Sequence, residues 1–320
     1  MSVKLLKHIL IALLFSTSTT YAESNPQVQQ VDGYFLQPVG NLKVTALFDG
    51  ELGLPRSDLL GISTEKANQL FKENFVPVDE HNHIVTDFSA YLVQTPTQNI
   101  LIDAGTAKCF GPSLGYVPEN LKKARLQPEQ IDTILITHAH PDHLCGITLD
   151  GTMAYPNAKV YLAKEDVDYW TSAENEAKAT DFFKPLFKMT RDALKPYQQA
   201  GQLIAFTKDS FKVPNVELIT THGHTEGHSS YLVDGQNGQK FLGLGDVVHY
   251  AAVQFPYPEA SYKPDTNSQH AIAVRKNIFE QAYQNQWWIG AAHVAFPGIG
   301  HIGKNSKGYQ WIPTQYRPDK

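Results

Sequence analysis

The sequence predicts an α/β protein, because short apolar runs of strand length recur along the chain and stretches with helix signals fall between them. Residues 90–93 (AYLV) and 99–103 (NILID) read as strands, and the Thr-Pro-Thr-Gln between them as the turn of a hairpin. Residues 132–137 (DTILIT) follow a helix expected to begin near Pro118, a residue tolerated in a first helical turn. Residues 159–162, 216–221, 230–233 and 240–244 have the same apolar character. A late helix is expected from about 266–268, where capping side chains stand together, with Ala271, Val274, Ile278 and Ala282 on one face. Residues 23–87 are less regular and read as a strand, a loop and a short helix before the core begins. They carry Phe48-Asp49-Gly50, and His81 and His83 in a polar stretch that fits a solvated loop better than a metal site.

The N-terminus reads as a secretory signal peptide. Lys4 and Lys7 precede an apolar core at 9–15 (ILIALLF), and a polar stretch then ends at Ala22. That core is far shorter than the roughly 20 residues of a membrane-spanning helix. Cleavage after Ala22 predicts a periplasmic or secreted protein, off the membrane once cut. It removes two of the 27 basic residues and no acid, leaving 25 against 32 acidic side chains and a formal charge of −7. A nucleic-acid partner would call for a basic stripe or domain, so none is expected and a nuclease reading fails on charge. With no repeat or low-complexity linker, 23–320 is expected to form one domain, with 23–88 as an extension packed on its core.

Chemistry concentrates in His138-Ala139-His140-Pro141-Asp142-His143, directly after the strand at 132–137. Side chains two apart on extended backbone share a side, so His138 and His140 can hold one ion together. Asp142 and His143 can open the next helix and face a second ion, and imidazole with carboxylate suits zinc and its neighbours. His222-Gly223-His224-Thr225-Glu226-Gly227-His228 is a second cluster after a strand. Gly245-Asp246 and Ala292-His293 each follow an apolar run, and each would be weak evidence alone.

The order H-x-H-x-D-H, G-H-T-x-G-H, G-D and a late His resembles the metallo-β-lactamase superfamily. The stretch from Phe48-Asp49-Gly50 to Pro313 is more closely similar to its methyl parathion hydrolase branch, whose members include lactonases. The segments that carry this likeness are Phe110-Gly111-Pro112-Ser113-Leu114-Gly115, Gly245-Asp246-Val247-Val248-His249, Ala252-Val253-Gln254-Phe255-Pro256 and Phe296-Pro297-Gly298-Ile299-Gly300-His301. The resemblance implies a four-layer αβ/βα fold, two mixed sheets between layers of helices. It implies two divalent ions per chain, zinc expected and manganese, cobalt or iron as alternatives. His138, His140 and His224 would bind one ion, Asp142, His143 and His293 the other, and Asp246 would bridge them. His222 and His228 would then hold ligands in place rather than bind. A hydroxide between two such ions would attack a carbonyl carbon or a phosphorus. Asp142 is the first choice for handling the proton, with Asp246 beside it as the other catalytic carboxylate.

Similar enzymes line their leaving-group site with aromatics, and Phe110, Trp170 and Phe187 fall at those positions, although each is also placed to be core. Such a pocket suits small neutral hydrophobic lactones, esters or phosphotriesters. The expected activity is a lactone or ester hydrolase with side activity on phosphotriesters. The alternatives are an organophosphate hydrolase, and a non-catalytic metal-binding protein on the same fold. Similar proteins are dimers, so a homodimer is expected. Finally, if the strands at 99–103 and 132–137 are neighbours, as the implied fold has them, Cys109 and Cys145 sit at the same sheet end and are expected to form a disulfide rather than free thiols.

Overall fold

Apolar side chains alternate along the strands and so give each sheet two faces. The computed structural model describes residues 30–317, so the expected leader at 1–22 and its expected cleavage site lie outside the described residues. The first sheet takes β1 (Tyr34–Val39), β2 (Leu42–Leu54), β3 (Ile84–Gln94), β4 (Asn99–Ile102), β5 (Thr133–Leu135), β6 (Lys159–Ala163) and β7 (Leu203–Phe206), in that order. The second takes β8 (Val216–Thr220), β9 (Ser229–Asp234), β10 (Lys240–Gly245), β11 (Trp288–Ala291), β12 (Ile299–Asn305) and β13 (Gly308–Pro313). Both sheets are mixed: β4 to β7 run parallel, as do β10 and β11, and the other neighbours are antiparallel.

Along β3, Tyr91 and Val93 point to the second sheet and meet Tyr231, Val233 and Phe241, whereas Ala90 and Leu92 point the other way. That outer face packs on the helices α2 (Val117–Lys123), α4 (Lys164–Thr171) and α5 (Lys184–Ala200). On the far side, Leu242, Leu244 and Ile289 pack on Ile278, Phe279 and Ala282 of α6 (Ser268–Asn285). The result is the implied four-layer αβ/βα arrangement. α6 opens one residue past Asn267, whose side chain accepts from the His270 N–H. Between β2 and β3 lies α1 (Thr64–Glu73), and α3 (Pro141–Leu144) follows β5.

Two expectations need correction. Within the described residues, 30–88 are not an extension laid on the core: β1, β2 and the first residues of β3 belong to the first sheet itself, with Leu47 and Ala46 fully buried. Their pattern was obscured because β2 is kinked by a register shift between Phe48 and Gly50, which breaks the two-residue period. The strands at 99–103 and 132–137 are also shorter than expected, ending at Ile102 and Leu135. Asp103 turns out of the sheet with φ 59°, and the chain at Thr137 bends so that its N–H and hydroxyl both reach the Asp103 carboxylate.

β4 and β5 are parallel neighbours, and the Cys109 and Cys145 sulfurs lie at bonding distance, closing a loop of 36 residues. Such a bond stabilises by roughly 3–4 kcal/mol in the chain-entropy account. Titration of the unfolded, unreduced protein should therefore find no free thiol, and two per chain would exclude the bond. The shorter loop that carries Cys109 is held at its two ends by Asp49, which accepts from the Thr106 N–H and hydroxyl and from the Val117 N–H.

Candidate metal centre

Four loops meet where the sheets expose their carboxyl ends. β8, β10 and β11 run the same way, so His224, Asp246 and His293 all leave one edge of the second sheet. His138, His140, Asp142 and His143 leave β5 of the first. Pro141 sets His140 in extended backbone and opens α3, which turns Asp142 and His143 toward the histidines of the other sheet. His138 Nε2 and His224 Nε2 stand 2.9 and 3.0 Å from His140 Nδ1. His143 Nε2 lies 3.0 Å from Asp142 Oδ2 and 3.0 Å from Asp246 Oδ1, and His293 Nε2 lies 3.1 Å from Asp246 Oδ1. Asp246 Oδ2 faces His224 Nε2 at 3.3 Å, so its carboxylate touches both groups. The structure thus brings all seven expected residues together in two clusters that share Asp246, each with ligand atoms within 4.8 Å of one another.

This donor set fits two divalent cations. Three ring nitrogens converge at 2.9 and 3.0 Å, and His143 Nε2 and Asp246 Oδ1 are buried with no hydrogen-bond partner. Burial holds the His138 ring far below its ordinary value and His140 down to about 3, which keeps both neutral and able to ligate. Burial disfavours the charge of Asp142 and Asp246. His143 and its neighbours outweigh it, drawing Asp142 to about 2 and Asp246 well below the usual carboxylate range.

Outer contacts aim these groups. His143 Nδ1 lies 2.9 Å from Asp103 Oδ2, and His224 Nδ1 lies 2.9 Å from Asp265 Oδ1. The Asp246 N–H donates to His228 Nε2 at 2.9 Å, and His228 Nδ1 faces the Thr221 hydroxyl at 2.8 Å. Gly245, at φ 61°, permits this, since a Cβ there would stand 2.6 Å from His228 Nε2. His228 therefore holds Asp246, as expected, whereas His222 is half-buried beside His270 and touches no ligand. Asp166 accepts from the Ala139 and Gly227 N–H groups and the Thr225 hydroxyl, joining both histidine loops; burial lifts it to about 6. His81 and His83 lie in an exposed loop beside Glu80 and Asp79.

A cleft of about 320 Å³ opens over the cluster. Phe110 lines it as expected, but Trp170 and Phe187 do not. Trp170 is 2% exposed and packs behind His140 with its ring 4.7 Å from Phe187, which is wholly buried. Both belong to the core on the outer face of the first sheet, and Phe183, which packs on Trp170, lines the cleft in its place. The aromatic wall is instead Phe182 and Phe183, just before α5, followed by Leu186 and Met189 in its first turns. Phe182 and Phe183 were legible only as an apolar pair before Pro185. His249 also faces the cleft, 2.9 Å from Asp246 Oδ2, at a position to which the family resemblance assigns no role. Asp103 ended an apolar strand, a usable signal; Asp166 and Asp265 offered none.

Residues 88–298 match the model of the metallo-beta-lactamase superfamily. The chain belongs to that superfamily. Among solved structures, the superfamily hydrolase AbOPH is 34% identical with a TM-score of 0.85, over 91% of this chain and 100% of that one. AidC, described as a dizinc quorum-quenching lactonase, is 22% identical with a TM-score of 0.79, over 89% of this chain and 99% of its own, a likeness of fold. The exodeoxyribonuclease WalJ of Streptococcus pneumoniae is 26% identical over 50% of this chain and 59% of its own. The hydroxyacylglutathione hydrolase of Francisella tularensis subsp. novicida is 29% identical over 51% and 48%. The chain spans about half the length of these curated relatives. Its histidine and aspartate clusters group residues that could hold metal.

Proposed function

We propose that this chain is an exported hydrolase of small neutral lactones and esters that works with two divalent ions, zinc first among them, and turns over neutral phosphotriesters as a side activity. One observation carries the reading: a double His/Asp cluster forms the floor of a cleft whose walls are aliphatic and aromatic. In this reading His138, His140 and His224 hold one ion, Asp142, His143 and His293 the other, and Asp246 both. Bound there, two ions would supply an acidified water and a Lewis acid for the substrate oxygen.

The chain's own residues do the rest. Asp142, the cluster carboxylate left part-exposed to the cleft, is ionised and placed to take a proton. Phe110, Phe182, Phe183 and Leu186, which line the cleft, bind the apolar part of the substrate and exclude water. A likeness to AbOPH along nearly the whole chain, and the lactonase description of AidC, support the methyl parathion hydrolase and lactonase branch. The leader at 1–22 supports export to the periplasm or beyond.

The test is a hydrolysis panel on metal-loaded and chelated protein, comparing acyl-homoserine lactones, γ- and δ-lactones, aryl esters and methyl paraoxon. Lactones or esters should give the highest kcat/KM, and chelation should abolish it. A higher value for methyl paraoxon would make phosphotriester hydrolysis the main activity, and no metal-dependent turnover of any substrate would end the proposal. Phe182→Ala should raise KM for long-chain substrates about 5-fold, the loss of about 1 kcal/mol of apolar contact, and that for small lactones less.

A further inference from the structure

Asp265 is a buried carboxylate for which the two-ion reading alone has no use. It stands between the short strand Ser261–Tyr262 and α6, and its side chain is fully enclosed. Oδ1 lies 2.9 Å from His224 Nδ1, and Oδ2 accepts the Tyr262 N–H at 3.0 Å. The next two residues grip the same ligand loop through its backbone: Thr266 N–H donates to the His224 carbonyl at 3.1 Å and Asn267 N–H to that of Gly223 at 2.8 Å. Nearby Arg275 spends its hydrogen bonds on the carbonyls of Val247, Pro258 and Ala260. Among the described residues, no lysine or arginine forms an ion pair with Asp265, so its hydrogen-bonded charge partner is the His224 ring.

The chemistry of that contact is one-directional. A carboxylate only accepts, so the single proton of a neutral imidazole must sit on Nδ1. Nε2 then presents its lone pair 3.0 Å from His140 Nδ1 and 3.3 Å from Asp246 Oδ2, inside the first cluster. A buried carboxylate without a cation is costly, and a cation on the far side of the imidazole offsets that cost. We propose that Asp265 is a positioning residue for metal binding: it fixes His224 as the Nδ1–H tautomer and aims Nε2 at the ion shared with His138 and His140. Through Oδ2 it also ties that ligand to the cleft wall at Tyr262. The inference rests on the two-ion reading of the site.

Asp265→Asn offers one acceptor oxygen to two donors, so either His224 or Tyr262 loses its partner. Chelator competition with zinc should show one of the two ions bound about 10–100-fold more weakly and the other unchanged. The melting temperature of the metal-free variant should stay near that of the parent. Thr266→Val, which cuts only the 3.2 Å bond from its hydroxyl to the Gly223 carbonyl in the same segment, should keep parental zinc affinity. Parental affinity for both ions in Asp265→Asn, or an equal loss in both variants, would overturn the proposal. If Asp265→Asn does not fold, ¹⁵N-histidine spectra of the zinc-loaded parent decide: a proton on His224 Nδ1 supports the proposal and one on Nε2 overturns it. A parent that binds fewer than two zinc ions removes the two-ion reading itself, before any variant is made.

Discussion

Replacing His224 or His293 by alanine is expected to lower kcat/KM by well over about 100-fold, since removing even an outer partner of a ligand costs 10- to 100-fold. The two substitutions strip different clusters, one containing His138 and His140 and the other Asp142 and His143. Elemental analysis should therefore show two ions in the parent and a loss of one in each variant at limiting metal. Asp246 touches both clusters, so Asp246→Ala should lose both ions. A variant of either histidine that keeps two ions and near-parental turnover would show that its ring is not a ligand.

Trp170→Ala should cost about 3–5 kcal/mol, the range for emptying a large aromatic site in a core. At that size the melting temperature should fall by roughly 10 °C or more. Because Trp170 packs edge-to-face behind His140 and is buried, turnover of large and small substrates should fall together. A selective loss on bulky leaving groups, with an unchanged melting temperature, would put Trp170 in the pocket after all.

The metal cluster was readable because its residues are local in sequence and sit where apolar runs stop. His138 to His143 fit in six positions, and periodicity placed them at a strand end without any tertiary information. The pocket was less readable for the opposite reason. Trp170 and Phe183 are both aromatic, and only the approach of α5 to α4 decides which is covered. Asp166 and Asp265 look like ordinary solvated acids in the sequence. Their burial depends on loops 27 and 41 residues away in the chain, at Ala139 and His224. The strands before residue 88 were hidden by the register shift in β2, which puts its apolar residues out of phase.

The loop carrying Phe110 is fastened by Asp49 at both its ends and by the Cys109–Cys145 bond near its tip. Elsewhere in the cleft lining, Phe182 is 68% exposed and has no comparable tether. One wall has thus lost its conformational freedom during folding, and a substrate meeting it has little ordering entropy left to overcome. The exposed Phe182 ring must still be immobilised when a ligand arrives. Substrate range should accordingly drift through changes at Phe182, Leu186 and Met189, which line the cleft without being buried in the core. The Phe110 wall acts as a fixed template, and altering it means altering the fold's own fastenings.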